Sequence, residues 1–188
     1  NETSTSFVVD SWYKKSLWLY LLYPFSLIFS FITNRRRKKF LNNEYESFES
    51  DIPIIVVGNL TIGGTGKTPL VKHIALELIK RGYKPGIVSR GYGGKFKETL
   101  QVTEDTPVKN TGDEAQILAK LNIPFYIDKN RVRAVKTIIK NHNCDVIISD
   151  DGLQHYAMGR DIEIAVIDGK RRFGNSLTFP AGPLREAK

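Results

Sequence analysis

The apolar positions of this chain follow two patterns that meet near residue 42. From Leu17 to Ile32 the residues are mostly apolar and carry no charge, and a run of cations occupies positions 35–39. Beyond residue 42, short apolar runs of strand length alternate with segments whose apolar residues recur at helical spacing. These patterns predict an N-terminal hydrophobic helix with its basic cluster in residues 1–42 and an α/β domain in residues 43–188.

The α/β part has enough alternating elements to specify a sheet. Helices are indicated by the apolar spacing from Val71 to Ile79, by Asp113 to Leu121 and by the spacing from Val132 to Ile139. Because strands that alternate with helices join through right-handed crossovers, we predict a parallel sheet with flanking helices. The last two strands are apolar enough for burial on both faces. The predicted strands occupy residues 52–57, 86–89, 99–103, 125–127, 145–150 and 162–168.

A glycine-rich segment joins the first predicted strand to the helix that follows it. The segment ends in Gly66-Lys67-Thr68 at the helix start, which is the layout of a phosphate-binding loop. Main-chain N–H groups and a helix N-terminus stabilise bound phosphate, while Lys67 would reach the outer phosphates and the Thr68 hydroxyl would ligate magnesium. The strict pattern has glycine where Thr61 stands, so a glycine-rich turn without a ligand is the alternative. The residues predicted to hold the triphosphate are Thr61, Ile62, Gly63, Gly64, Thr65, Gly66, Lys67 and Thr68.

Acidic residues follow the predicted strands, where ligands gather in a parallel sheet. Asp150 and Asp151 end an apolar strand, the position at which nucleotide hydrolases and kinases hold a carboxylate for magnesium. Asp113 and Glu114 open a helix after a glycine, so simple capping of that helix is the alternative for this pair. Asp168 ends the last predicted strand. The acidic motifs are thus predicted to lie at the carboxyl edge of the sheet.

Histidine and arginine residues add further candidates. His155 lies shortly after Asp151, although an isolated histidine is more often structural than catalytic, and His73 and His142 are expected to be structural. Arg90 lies among glycines and is a candidate phosphate contact, with an ordinary Arg-Gly turn as the alternative.

The uncharged stretch from Leu17 to Ile32 is predicted to associate with a membrane. As a helix it would span roughly 24 Å, at about 1.5 Å per residue, against a hydrocarbon core of about 30 Å. Pro24 is expected to kink its middle. Two arrangements stay open, a helix that barely spans the bilayer and a tilted helix that lies in the membrane interface. In either case Arg35–Lys39 would stay on the cytoplasmic side and attract anionic headgroups. A signal peptide would need a small-residue cleavage site, and a buried core helix would not usually end in consecutive cations.

The charge and the cysteine count limit which partners and which covalent links the chain can have. Most of the net charge of +8 comes from Arg35–Lys39, so a uniformly basic nucleic-acid-binding face is not indicated. The single cysteine, Cys144, excludes an intramolecular disulfide and is expected to be buried in the core. The sequence begins without Met, so part of the natural N-terminus is expected to be missing.

Several motifs, taken in order, give the chain a family resemblance. They are residues 57–69, 89–94, 112–114, 149–155 and 179–186. With them, the chain resembles the tetraacyldisaccharide 4′-kinases, the bacterial lipid A kinases, in which a threonine such as Thr61 typically replaces the first loop glycine. The resemblance implies a P-loop NTPase-like fold and ATP- and Mg²⁺-dependent phosphorylation of the 4′-hydroxyl of a tetraacylated glucosamine disaccharide 1-phosphate. It also implies a location at the cytoplasmic face of the bacterial inner membrane.

The resemblance also implies roles for individual residues. Lys67 and Asp113 are the principal catalytic candidates, and Asp113 corresponds to the carboxylate that takes the proton from the sugar hydroxyl. Thr68 and one acidic residue, most directly Asp150, would hold magnesium. The second choices for magnesium or for water positioning are Glu114, Asp151 and His155.

Other functions stay open, and one part of the family pattern is absent. Family members continue well beyond Lys188 with a second lobe and a histidine thought to assist the catalytic aspartate, so a C-terminal lobe is expected to be missing here. Another P-loop kinase or an ATP-dependent ligase would have no use for the hydrophobic leader. A membrane-tethered GTP-binding switch should carry a guanine-recognition motif, which residues 128–130 do not supply.

Overall fold

The computed structural model describes residues 2–14 and 16–187, and its contacts divide the chain into two compact units. The helical unit comprises the chain up to Glu46, the loop Asn59–Thr65 and the residues from Val166 onward. The sheet unit comprises Ser47–Gly58 and Gly66–Ala165. The two units are interleaved along the chain, and the division into residues 1–42 and 43–188 stays a prediction.

The N-terminal part of the helical unit contains α1 Glu2–Tyr13, a 3₁₀ helix Leu17–Leu22 and α2 Tyr23–Leu41. The sequence predicts a kink at Pro24 inside one helix, but the helix type changes there instead. Pro24 lies in the first turn of α2, where its missing N–H costs no intrahelical hydrogen bond. α2 then continues through the basic cluster. Helix α1 is not predicted from the sequence.

Leu17–Leu41 is, among the described residues, the one helical stretch that is long and apolar enough to cross a membrane by length and composition. An 18-residue window within it has a mean hydropathy of 1.4. Leu19 and Ser26 are buried in the helical unit, whereas Leu21 is 78% and Phe31 65% exposed. The stretch therefore packs along one side and presents apolar side chains on the other.

The strands of the sheet unit are β1 Ile54–Gly58, β2 Pro85–Ser89, β3 Leu100–Gln101, β4 Phe125–Ile127, β5 Val146–Asp150 and β6 Ile162–Ala165. They form one sheet in the order β3-β4-β2-β5-β1-β6. Neighbouring strands are parallel except β3 and β4, so the predicted parallel sheet is confirmed with one antiparallel edge. The register pairs Val57 of β1 with Asp150 of β5.

Four helices of the sheet unit connect these strands: α3 Lys67–Lys80, α4 Val108–Thr111, α5 Asp113–Ala119 and α6 Arg131–Asn141. The core consists of the central strands and the apolar sides of α3 and α6, with Val71, Ile138 and Ile147 fully buried. A Cβ at Gly86 would lie 2.6 Å from Ile138 Cδ1, so glycine lets α6 pack closely on β2. Cys144 is buried, as predicted.

Two strand predictions are wrong in detail. The strand predicted over residues 162–168 ends at Ala165, and it is not buried on both faces, because β6 is an edge strand with Ile162 half exposed. Asp168 therefore does not end a strand. Its carboxylate accepts hydrogen bonds from the N–H groups of Lys170 and Arg171, both at 2.8 Å, and these bonds lower the pKa of Asp168. The strand predicted over residues 99–103 is reduced to the short antiparallel β3.

Candidate active site

A small cleft lies at the carboxyl edge of the sheet in the sheet unit. β2 and β5 are parallel neighbours, so their carboxyl ends meet at one edge, where α/β proteins bind ligands. Residues from the ends of these two strands and from α4 and α5 form its walls. The lining residues are Ser89, Arg90, Gly91, Tyr92, Thr111, Glu114, Ala115, Asp150 and Asp151.

Asp150 is the most strongly perturbed carboxylate of this cleft. Its side chain is 2% exposed at the end of β5, and Ser89 Oγ donates to its Oδ2 at 3.4 Å. Oδ1 is buried and has no hydrogen-bond partner among the described residues. Burial, followed by the negative charge of Asp151, raises the pKa of Asp150 to about 6, against the opposing charge of Lys67. A buried, unpaired carboxylate oxygen requires a proton or a cation.

Lys67 is the cation that the fold places beside this acidic pair. It is the first residue of α3, and Gly66 precedes it with a φ of 80°, a conformation that glycine adopts without strain. The Lys67 side chain is 9% exposed, and its Nζ lies 3.7 Å from Asp151 Oδ1. The next residue, Thr68, is also buried. The start of α3 thus places Lys67 beside Asp151, with Thr68 as the next residue of the same helix.

Arg131 is a buried residue of this region that the sequence reasoning missed. It opens α6, its guanidinium donates to the carbonyl oxygens of Asp128 at 2.8 Å and Asp151 at 3.2 Å, and only 3% of the residue is exposed. Burial lowers its pKa to about 10, so the side chain stays cationic at neutral pH. Asp151 has a φ of 51°, and the bond from Arg131 holds this left-handed residue in place. The sequence feature that could have identified Arg131 is its position shortly after β4, at the edge of the sheet where ligands bind.

The first part of the predicted phosphate loop, Asn59–Thr65, belongs to the helical unit. Asn59 Nδ2 donates to the Gly63 carbonyl at 3.0 Å, and Gly63 has a φ of 117°. Thr61 forms a β-bridge with Leu184. The Thr65 hydroxyl is buried and has no hydrogen-bond partner among the described residues. Apart from the adjoining residues of the chain, no atom of the described residues lies within 4 Å of where a Cβ of Gly63 or Gly64 would stand, so this side of each glycine is open.

The remaining predicted residues differ in how closely the structure links them to Asp150. Glu114 lines the cleft, and its negative charge contributes to the raised pKa of Asp150. Asp113 is exposed at the start of α5, as predicted. His155 is half-buried in the turn after β5, where its N–H donates to the Gly152 carbonyl at 2.9 Å. The structure therefore brings together Lys67, Glu114, Asp150 and Asp151, and the catalytic roles of Asp113 and His155 stay predictions.

The residues around Asp150 fit a magnesium ion. Asp150 Oδ1 is a buried oxygen without a hydrogen-bond partner among the described residues, and the sequence predicts the Thr68 hydroxyl as a second hard oxygen. Among the described residues, no three His, Cys, Asp or Glu side chains cluster as a metal cage. Because Mg²⁺ is usually held by one or two carboxylates together with substrate phosphates and waters, this donor set suits it.

Replacing Asp150 with Asn is expected to stabilise the metal-free protein at neutral pH. The native state binds the Asp150 proton more tightly than the unfolded chain, so this carboxylate costs stability as pH rises from about 4 to about 6. The pKa shift corresponds to roughly 3 kcal/mol once the group is ionised. Urea unfolding in EDTA should show that Asp150→Asn and wild type are similar near pH 4 and diverge by pH 7. A difference that is the same at both pH values contradicts this account of Asp150.

Comparison with known proteins places the chain in one family. The family model described as Tetraacyldisaccharide-1-P 4′-kinase matches residues 18–188. A tetraacyldisaccharide 4′-kinase from Shewanella loihica is 49% identical over 184 residues, covering 94% of this chain and 54% of that protein. One from Psychromonas ingrahamii is 48% identical over 177 residues, covering 93% of this chain and 55% of that protein. The chain therefore spans about half the length of the curated relatives it matches.

A solved structure supports the same assignment at the level of the fold. The crystal structure of the "apo" form of LpxK from Aquifex aeolicus in complex with ATP matches with a TM-score of 0.81 at 32% identity. The match covers 90% of this chain and 55% of that protein. The resemblance carried by the sequence motifs is thereby confirmed, and so is the P-loop NTPase-like fold. The chain belongs to the tetraacyldisaccharide-1-P 4′-kinase family.

Proposed function

We propose that this protein transfers the γ-phosphate of ATP to the 4′-hydroxyl of a tetraacylated glucosamine disaccharide 1-phosphate. The observation that carries the proposal is Asp150, a buried carboxylate with one oxygen that has no hydrogen-bond partner among the described residues. Its neighbour in the cleft, Asp151, has Lys67 Nζ 3.7 Å away. A cation-requiring carboxylate near a helix-opening lysine is the arrangement that phosphoryl transfer needs. The family supplies the identity of the acceptor.

The chain's own residues would bind and orient the donor. The main-chain N–H groups of Thr61–Thr68 would surround the triphosphate, and Lys67 would neutralise the outer phosphates. Phosphoryl transfer depends mostly on positioning and charge stabilisation, so a lysine held in place beside the phosphates is effective. Asp150 and Thr68 would hold Mg²⁺, with Glu114 as a further ligand. Held by these residues, the metal would supply positive charge against the phosphates.

Asp113 would act on the acceptor. Its carboxylate is exposed at the start of α5, one residue before the cleft-lining Glu114, so a sugar hydroxyl can reach it. We assign it the removal of the 4′-hydroxyl proton as that oxygen attacks the γ-phosphate. Asp151 and His155 are proposed to position water or the metal.

We propose further that Leu17–Leu41 docks the protein on the cytoplasmic face of the bacterial inner membrane. The exposed apolar side chains would enter the membrane interface, and the cations Arg35–Lys39, all exposed except the half-buried Lys39, would attract anionic headgroups. A substrate whose acyl chains stay in the bilayer would require its kinase to work at that surface.

Placing charge on the exposed apolar side of α2 is expected to release the protein from membranes. Ile28 and Ile32 are each 58% exposed, so Ile28→Glu/Ile32→Glu changes the proposed docking surface without emptying a core. Each isoleucine that enters the membrane would contribute up to about 1.5–3 kcal/mol, so losing both predicts at least a tenfold drop in binding to vesicles that contain anionic lipid. Cosedimentation with the vesicles measures the fraction of protein that is bound.

The matched control changes two exposed apolar residues of α3, Leu76→Glu/Ile79→Glu, which are 38% and 39% exposed. This pair adds the same charge elsewhere in the chain and should leave vesicle binding unchanged. Equal sedimentation of the α2 variant and wild type contradicts docking through Leu17–Leu41.

Acceptor-dependent consumption of ATP by the full-length protein tests the proposed function. With labelled ATP and the disaccharide lipid in detergent, we expect the label to move to the lipid and ATP use to depend on the lipid. An ATPase or a nucleotide switch would instead release inorganic phosphate at a rate that does not depend on the lipid. A different P-loop kinase would leave the lipid unlabelled.

A further inference from the structure

The first half of the phosphate loop is held by a segment from the far end of the chain. Ile62 N–H donates to the Pro183 carbonyl at 2.8 Å, and Arg185 N–H donates to the Leu60 carbonyl at 2.8 Å. Between these bonds, Thr61 pairs with Leu184 as an isolated β-bridge. Residues 60–62 thus follow the path of residues 183–185, and both stretches lie in the helical unit.

That C-terminal segment is in turn fixed to α2 by one buried serine. Ser26 Oγ donates to the Thr178 carbonyl at 2.7 Å and accepts from the Ala181 N–H at 2.9 Å. Thr178 Oγ1 donates to the Ser26 carbonyl at 3.1 Å and also pairs with Ser30 Oγ at 2.7 Å. Ser26 is 2% and Thr178 7% exposed. Water therefore cannot readily replace these bonds, and losing a partner leaves buried polar groups unsatisfied.

The turn between Thr178 and Leu184 is tight enough to transmit a displacement. Gly182 N–H donates to the Thr178 carbonyl at 3.0 Å, and Phe179 N–H donates to the Leu184 carbonyl at 2.8 Å. Ala181 and Leu184 are almost completely buried. A Cβ at Gly182 would collide with the Leu177 carbonyl, so this close approach requires glycine. If Thr178 shifts relative to α2, residues 183–185, which hold the phosphate loop, are accordingly expected to shift with it.

We propose that Ser26 and Thr178 are positioning residues for the nucleotide. They hold residues 178–185 on α2, and those residues set the path of Leu60–Ile62 in the phosphate loop. A phosphate loop binds through main-chain N–H groups, so its affinity depends on the fraction of molecules in which the loop follows the binding path. That the bound anion is the triphosphate of ATP rests on the proposed function.

Binding of Mg-ATP to the full-length protein, measured by calorimetry, tests this coupling. Ser26→Ala and Thr178→Val each delete hydroxyl bonds, and the double variant should raise the Kd for Mg-ATP about three- to tenfold, since the competent fraction of the loop falls. Thr178→Ser keeps the hydroxyl and should restore wild-type affinity. In turnover assays the KM for ATP should rise while kcat at saturating ATP stays within about twofold, because no reacting group has changed.

Two control variants separate positioning from a general loss of stability. Thr33→Val removes a hydroxyl that donates to Phe29 and Ser30 of its own helix, and it should leave the Kd unchanged. Ile138→Val removes a methylene from the core of the sheet unit and should lower Tm. It changes no residue of the helical unit, so it too should leave the Kd unchanged.

Hydrogen exchange gives a readout that does not require ATP. The amides of Ile62 and Arg185 should exchange faster in Ser26→Ala and Thr178→Val than in wild type, and at the wild-type rate in Ile138→Val. If wild type binds Mg-ATP and the Ser26→Ala/Thr178→Val double variant keeps its Kd within twofold, the positioning role is refuted while the proposed function stands. If wild type itself does not bind Mg-ATP, both fail.

Discussion

Lys67→Ala is expected to abolish phosphate transfer by the full-length protein and to weaken ATP binding. Lys67 opens α3 directly after the glycine-rich loop, with its ammonium group 3.7 Å from Asp151. A fixed ammonium group beside the outer phosphates stabilises the transition state most strongly, because negative charge develops there during phosphate transfer. Removing one such donor typically costs about 10²–10³-fold in rate, and Lys67 would also contribute to binding of the ground state. Steady-state kinetics and calorimetry with Mg-ATP measure both losses.

Lys80→Ala is the matched control for this variant. Lys80 lies at the other end of the same helix, it is exposed, and it pairs with Glu77 at 2.7 Å. The control makes the same change in residue and charge away from the cleft, so turnover and ATP affinity should stay near wild type. Near-normal activity of Lys67→Ala would remove the phosphate-loop interpretation.

Asp113→Asn is expected to lower kcat strongly while leaving ATP affinity nearly unchanged. The substitution keeps the size of the side chain but removes the oxygen that would accept the proton of the sugar hydroxyl. A positioned general base typically contributes about 10²–10⁴-fold, so kcat should fall by that order. The measurement is turnover at saturating ATP and lipid, together with the Kd for Mg-ATP.

Asp150→Asn is the comparison that separates the two carboxylates. Asp150 is buried with an unpartnered oxygen, whereas Asp113 is exposed, so we expect Asp150 to act on magnesium and Asp113 on the acceptor. Losing a magnesium ligand should raise the metal concentration that gives half-maximal activity, and excess magnesium should restore part of it. If excess magnesium rescues Asp113→Asn and does not rescue Asp150→Asn, the two roles are reversed.

The local part of the site could be predicted from the sequence because its signals lie close together in the chain. A continuous apolar run of strand length, a glycine-rich loop and a helix-opening lysine identify β1, the loop and Lys67 within a short stretch. β5 is predicted for the same reason, since its apolar run stops at Asp150. Parallel pairing of β1 with β5 then places both strand ends at one edge of the sheet.

The contacts that the sequence did not reveal depend on distant or unusual partners. Arginine is usually exposed, but Arg131 is buried because two main-chain carbonyls accept hydrogen bonds from its guanidinium. Ser26 meets Thr178 across 152 positions of the chain, and nothing in their local sequence marks either residue. The sequence predicts burial of β6 on both faces because its apolar content resembles that of β5, but apolar content alone does not distinguish an edge strand from a central one.

The site chemistry and the acceptor have different kinds of support. The described residues show the buried Asp150, the half-buried Asp151 beside Lys67, and their position at the carboxyl edge of the sheet. The acceptor comes from the family, whose curated members are about twice as long as this chain. The full-length protein is therefore the right material for every kinetic test.

Phosphorylation of the disaccharide lipid at a defined hydroxyl tests the central claim most directly. The full-length protein would be incubated with γ-labelled ATP, magnesium and either tetraacyldisaccharide 1-phosphate or the same lipid with its 4′-hydroxyl blocked. The account predicts that the label enters the first lipid at the 4′ position, that the blocked lipid stays unlabelled, and that Lys67→Ala labels neither. Label on the blocked lipid, or ATP hydrolysis without any lipid product, would contradict it.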